Sequence, residues 1–234
     1  MRYRHEHKYI LSAQTAELLR ERVRAVLRPD RHSGGAYEVC NIYFDDQTDS
    51  FYQEKALGGF RRDKYRLRWY NGDLSFIRLE RKHKDGSLSY KDTISLTQTQ
   101  AQSFLAGSFP MPGEAPLLQR LALLHRLHRL RPAAAFAYRR EAYVYAPGDV
   151  RLTFDGHPYP LGATPPDGRS SFPGFADAYA RLLEVKFSGF MPGAVAGLFR
   201  GLPLARTEMS KYGLVRERGL TVHESAPRYA HTAG

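Results

Sequence analysis

Lys64, Arg66 and Arg68 occupy every second position of the stretch Asp63-Lys64-Tyr65-Arg66-Leu67-Arg68-Trp69-Tyr70, with Tyr65, Leu67 and Trp69 between them. A period of two is that of a β-strand, so the three cations and Tyr70 share one face and the apolar residues the other. Arg78, Glu80 and Lys82 alternate with Ile77 and Leu79 in the same way. Guanidinium forks grip phosphate oxygens in pairs, and ammonium groups act as point charges. Faces of this kind suit phosphate-rich anions.

One such hairpin would be ordinary, because antiparallel sheets commonly leave one face in water. The pattern recurs, however, in Arg4, Glu6 and Lys8, in Arg151, Thr153 and Asp155, and in Glu184 and Lys186, while Lys91 lies in a further β-rich run. Between Tyr138 and Tyr143, either Arg139 or Arg140 shares the apolar side. Many like charges on one surface repel one another unless an anion or interleaved carboxylates compensate. Closing the sheet with its charged face inward would focus that field and leave helices to cover the apolar outside.

The supporting elements follow from local signals. Asn71-Gly72-Asp73 is hairpin-turn chemistry, and Gly58-Gly59 and Asp85-Gly86 punctuate the chain on either side. Ser12 offers an N-cap to an amphipathic helix over Ala13–Leu27, stopped before Pro29. Thr97 and Gln100 fit a capping box for a helix over Gln98–Ala106, and leucines at helical spacing predict another over Leu117–Leu130. The stretch from Phe51 to Leu57 fits strand or helix, Gly156–Phe175 reads as a long loop, and Pro192 opens a short helix through Phe199.

At 234 residues with no internal repeat or linker, the chain reads as one domain over residues 1–224, followed by a disordered tail at 225–234. The formal net charge of +11 implies an anionic partner. Cys40 is the only cysteine, in an apolar strand-like run, which excludes a disulfide framework and suits a buried thiol. His5 and His7 have no third nitrogen ligand at matching spacing. No stretch approaches the ~18 apolar residues of a membrane span, so a soluble, cytoplasmic protein is expected.

Taken in order, Glu6-His7-Lys8-Tyr9, Arg66-Leu67-Arg68, Leu79-Glu80-Arg81-Lys82, Lys91, Tyr138–Tyr143, Arg151–Asp155, Leu183-Glu184-Val185-Lys186 and Ser210-Lys211-Tyr212 form a set. The set resembles the VTC domain, the polyphosphate polymerase domain of the vacuolar transporter chaperone family, within the triphosphate tunnel metalloenzyme (CYTH-like) superfamily. The resemblance implies an α+β fold: a closed antiparallel eight-stranded β-barrel tunnel with helices packed outside. It also implies phosphate contacts from Lys8, Arg66, Arg68, Lys82, Lys91, Arg140, Arg151, Lys186 and Lys211, with Arg66, Arg68, Lys82 and Arg151 closest to the chemistry. Arg140 is preferred to Arg139 because the family pattern resembles Tyr-x-Arg-x-Ala-Tyr. Glu184 would be the principal ligand of Mn²⁺ or Mg²⁺, with Glu6 and Glu80 as further carboxylates.

The activity so implied is metal-dependent transfer of the ATP γ-phosphoryl group to a polyphosphate chain. Hydrolysis of inorganic or nucleoside triphosphate in the same tunnel is the first alternative, and non-catalytic binding of polyphosphate or nucleic acid the second. Nucleic acid is disfavoured because Tyr65, Leu67 and Trp69 lie opposite the arginines rather than beside them. Tunnel hydrolases typically carry Glu-x-Glu-x-Lys on the first strand, whereas the matching positions here are Arg4, Glu6 and Lys8. That departure favours the polymerase-like branch. The eukaryotic polymerase's regulatory and membrane segments have no counterpart here, so any translocation is expected to need a membrane-protein partner. Oligomeric state is left open.

Overall fold

A computed structural model describes residues 4–31, 35–86, 88–109, 115–161 and 181–217. The expected tail at 225–234 and most of the expected loop, residues 162–175, lie outside the described residues. In chain order the elements are β1 (Arg4–Leu11), α1 (Ala13–Val26), β2 (Arg28–Pro29), β3 (Ala36–Asp45), α2 (Ser50–Ala56), β4 (Arg61–Tyr70), β5 (Asp73–Asp85) and β6 (Leu88–Leu96). They continue with α3 (Gln98–Leu105), α4 (Pro116–His128), β7 (Arg131–Tyr145), β8 (Val150–Pro160), β9 (Arg181–Phe187), α5 (Gly193–Gly197), β10 (Ala205–Arg206) and α6 (Lys211–Glu217). The stretch read as strand or helix is α2, and Gly156–Pro160, expected to open a long loop, instead continue β8 in its pairing with β7.

The fold is α+β. Its antiparallel pairing runs β1-β6-β5-β4-β3-β7-β8-β9 and returns to β1, because β1 pairs β9 from His5↔Phe187 to Leu11↔Arg181. At the β1–β6 seam only Arg4↔Ser89 and His5↔Leu88 are paired. The β4–β5 hairpin closes through Asn71 at φ 52° and Gly72 at φ 71°, a left-handed pair that matches strand twist. Ser12 Oγ accepts from Thr15 N at 3.1 Å, and Thr97 and Gln100 form the reciprocal capping box.

Alternation decides what lies outside the ring. Tyr65, Leu67, Trp69, Ile77 and Leu79 pack with Phe104 of α3 and Leu117 and Leu121 of α4. On the opposite side, Leu152, Phe154, Leu183 and Val185 pack with Ala16, Leu19 and Val23 of α1 and Val195 of α5. Burial of these faces supplies the apolar stabilisation that the charged interior cannot.

The sequence reading put all apolar packing outside; the structure shows a third cluster within the ring. Val39, Tyr43, Ala134, Phe136 and Tyr138 pack there with Tyr212 and Val215 of α6. Tyr43 stacks between Phe136 and Tyr212, at centroid distances of 5.6 and 4.8 Å. Tyr212 Oη donates to Asp45 Oδ2 at 2.6 Å, while Asp45 also accepts from the backbone N–H groups of Phe51 and Tyr52 at 3.0 Å each. Asp45 thus ties α6 to β3 and α2.

Tyr212→Phe removes one donor from a buried carboxylate and is expected to cost ~1–3 kcal/mol. Tyr212→Ala also removes the ring and is expected to cost ~3–5 kcal/mol. Denaturant unfolding of both variants checks this; a Phe variant as stable as the wild type would show that α6 is not anchored through Asp45.

Candidate functional site

The inward positions of the strands enclose a cavity of about 410 Å³ whose walls, among the described residues, carry fourteen Lys and Arg residues against three Glu. Lys8, Arg66, Arg68, Lys82, Lys91, Arg140, Arg151, Lys186, Lys211, Glu6 and Glu184 all line it. Glu80 lies immediately behind this wall, fully buried, in contact with Arg66 and Lys91. Every candidate residue taken from the sequence therefore belongs to one constellation. Of the two arginines left open on β7, Arg140 points inward and Arg139 is exposed.

The arginine forks are held before any ligand arrives. Arg66 donates Nε and Nη2 to Glu80 Oε2 at 2.8 and 2.6 Å, and Nη1 to Tyr43 Oη at 2.5 Å. Arg68 donates Nε and Nη2 to Asn41 Oδ1 at 2.9 and 2.7 Å, and Nη2 also to Tyr138 Oη at 3.2 Å. Arg140 grips Asp155 in a bidentate pair at 2.5 and 2.6 Å. A guanidinium has five N–H donors, so each fork keeps donors in hand for an anion.

The lysines share the remaining carboxylates. Lys82 and Lys8 lie 2.6 and 3.4 Å from Glu6, and Lys91 lies 2.6 Å from Glu80. Lys211 bridges Asp155 at 2.6 Å and Glu184 at 3.2 Å, while Lys186 lies 3.7 Å from Glu184. Arg151 sits at the rim between Asp30, 2.8 Å away, and Tyr37 Oη at 3.1 Å.

Burial alone would raise the Glu80 carboxyl's affinity for its proton, but Arg66, Arg68 and Lys91 overcome it and hold the group well below the usual carboxylate range. Glu184 behaves likewise, with Lys211, Lys186 and Lys8 outweighing desolvation. The lysines divide. Desolvation of Lys8 and Lys211 is exceeded by their carboxylates, which raises both. In Lys186 burial wins over Glu6 and Glu184 and lowers the ammonium to about 8. Lys91 is lowered for the same reason although its partner Glu80 is strongly stabilised. The pair is asymmetric because Glu80 faces three cations, whereas Lys91 faces one carboxylate together with Arg66 and Arg68.

Several members were not singled out as site residues from the sequence. Asp155 alternates correctly with Arg151 and Thr153, but its bond to Arg140 depends on a register shift in the β7–β8 pairing between Tyr138 and Arg140. Tyr43, Asn41 and Tyr138 are ordinary strand residues until the ring brings them under Arg66 and Arg68. The segment before α6 reaches across several strands: Lys8 Nζ donates to Met209 O at 3.2 Å and Lys64 Nζ to Ser210 Oγ at 3.2 Å.

No helix among the described residues is long and apolar enough to cross a membrane. The family model for the VTC domain matches residues 3–217. No curated protein matches. Among solved structures, HpAC1 from Hippeastrum, described as a candidate adenylyl cyclase with a dominant triphosphatase activity, is similar at TM-score 0.56 and 15% identity, over 93% of this chain and 96% of that one. A candidate adenylate cyclase from Bacillus halodurans is similar at TM-score 0.52 and 16% identity, over 93% of this chain and 98% of that one. At these identities the likeness is one of fold.

Glu80→Gln leaves Arg66, Arg68 and Lys91 uncompensated, and breaking a buried pair of this kind costs ~3–5 kcal/mol. Thermal or chemical denaturation is expected to show that loss, and a saturating polyanion to narrow it. A variant as stable as the wild type without any anion would mean that the carboxylate does not offset the wall charge.

Proposed function

The chain belongs to the VTC domain family, and from that premise we propose that its cavity binds a linear phosphoanhydride and transfers the terminal phosphoryl group of ATP to a polyphosphate chain. One observation carries the reading: among the described residues, fourteen cations and three glutamates surround one cavity, an excess of positive charge that a multiply charged anion would neutralise. A run of phosphates, with charges repeating along its length, matches cations spaced on successive strands.

Phosphoryl transfer asks for alignment and charge stabilisation more than for a side-chain nucleophile, since an oxygen of the acceptor's terminal phosphate is already anionic. Arg66 and Arg68, locked by Glu80 and Asn41, would hold the transferred group, with Lys82 beside them. Arg140, Lys211, Lys8, Lys91 and Lys186 would bind the remaining phosphates, and Arg151, expected beside the transferred group, is paired with Asp30 and Tyr37 and would instead meet the chain at the rim. Because these donors are already fixed, little reorganisation is needed as charge moves from one bridging oxygen to the next.

Among the described residues no three carboxylate, histidine or cysteine side chains converge as a metal site. Mg²⁺ and Mn²⁺ do not require one, because one or two carboxylates together with substrate phosphates suffice. Glu6 and Glu184 fit that arrangement: they face the cavity from neighbouring strands, with Lys8 opposite Glu184 and Lys186 opposite Glu6. Thr153 Oγ1, on the position paired with Glu184, is buried without a hydrogen-bond partner among the described residues. Glu80 does not fit, because Arg66 and Lys91 take both of its oxygens; the expectation of a metal role for it is replaced by one of organising cations. A divalent ion held by Glu6 and Glu184 would supply positive charge to offset that of the phosphates.

Hydrolysis is the second reading, favoured by the triphosphatase activity in the description of HpAC1. Arg4 weighs against it: the residue where tunnel hydrolases carry a carboxylate is here a cation bonded to the backbone carbonyls of Asp149 and Lys186.

Incubation with ATP and Mn²⁺ or Mg²⁺ is expected to yield polymer, and Arg66→Ala to lower the rate at least a hundredfold, equivalent to ~3 kcal/mol. Orthophosphate without polymer would establish hydrolysis instead, and equal behaviour of variant and wild type would remove the cavity from the chemistry. The Lys186 ammonium adds a pH signature. Free protein loses that proton as pH rises through about 8, and anion binding must then restore it, so polyphosphate affinity should fall above that pH. Lys186→Arg keeps its charge throughout and should flatten the profile; an unchanged profile would assign the titration elsewhere.

A further inference from the structure

Beside the cationic cavity lies a second recess of about 260 Å³, walled by Phe60, Gly59 and Gly86, which shares Arg62, Lys84 and Glu208 with the cavity itself. Phe60 is 71% exposed, so core packing does not account for it. Its position is nevertheless defined: Gly86 N donates to Phe60 O at 3.0 Å, and the ring rests so close to Gly86 that a Cβ there would meet the ring Cζ at 2.7 Å. Arg62 Nη1 donates to Gly59 O at 3.0 Å, which fixes the guanidinium between recess and cavity.

Phe60 also has the parity of Arg62, Lys64 and Arg66. An aromatic ring at the mouth is followed along β4 by cations at steps of two residues, ~7 Å each. A nucleotide has the same order, one flat ring system and then charges in line. The recess is smaller than the ~300–1,000 Å³ of pockets that enclose drug-sized ligands, which suits a base alone, with its sugar at the rim.

We propose that this recess receives the base of a nucleoside triphosphate, stacked on Phe60, while the phosphates pass Arg62 and Lys84 towards Lys64 and Arg66. The inference rests on the phosphate-binding reading of the cavity and adds where the donor's base would sit and which side chain would receive it. Stacking accepts any base face, and the recess therefore does not distinguish ATP from GTP.

The test is equilibrium binding of ATP, GTP and tripolyphosphate to the whole chain at fixed salt, for wild type, Phe60→Ala and Phe60→Tyr. Wild type should bind both nucleotides more tightly than tripolyphosphate, although the latter carries more charge. Phe60→Ala should cut the ATP-to-tripolyphosphate affinity ratio about tenfold, the scale of one base–aromatic stack, and Phe60→Tyr should retain it. A ratio unmoved by Phe60→Ala, or a wild type that prefers tripolyphosphate, overturns this inference alone. Failure to bind all three overturns it together with the phosphate-binding reading.

Discussion

Glu80 is wholly buried and yet ionised, because Arg66, Arg68 and Lys91 surround it. The site depends on this arrangement. Without carboxylates behind them, cations on β4, β5 and β6 would repel one another and turn towards water; with them, each is tethered at one edge and presented at the other. Asp155 does the same for Arg140 and Lys211 on the far side of the ring. The carboxylates are too few to neutralise the wall, and the surplus of positive charge is what a ligand meets.

Such a design trades stability for readiness. Desolvating several charges is costly, and buried ion pairs often return no more than they lose on folding. Stability must therefore come from the apolar layers outside the ring, where α1, α3, α4 and α5 cover the strands, and from the aromatic sector that Tyr43, Phe136 and Tyr212 form inside it. The two kinds of packing divide the labour between persistence of the fold and affinity for anions.

Much of this could be read from alternation. The stretches Lys64–Tyr70, Ile77–Lys82, Arg151–Asp155 and Leu183–Lys186 each fix which side chains share a face, and their recurrence in order carried the likeness to a family. Alternation gives faces, not neighbours. That Arg140 meets Asp155 depends on a register shift, and that Arg68 meets Asn41 depends on β3 lying beside β4, neither of which a single strand encodes. The resemblance placed Lys211 in the tunnel, but the packing of Tyr212 inside the ring was hidden for a different reason: it follows from Asp45, far away in the chain. Glu80 was legible as an inward carboxylate but not as one already claimed by three cations.

The pairing of β1 with β9 joins residues 5–11 to residues 181–187, and β10 adds a contact from residues 205–206. Most of β1 therefore stays unpaired until residues 181–187 have been made, with only Arg4 and His5 meeting β6 earlier. Contacts so distant in sequence make for slow folding, and until the seam closes the cationic faces are open to any polyanion nearby, ribosomal RNA included. Closure of this seam is thus the step that withdraws the cationic faces from competing polyanions.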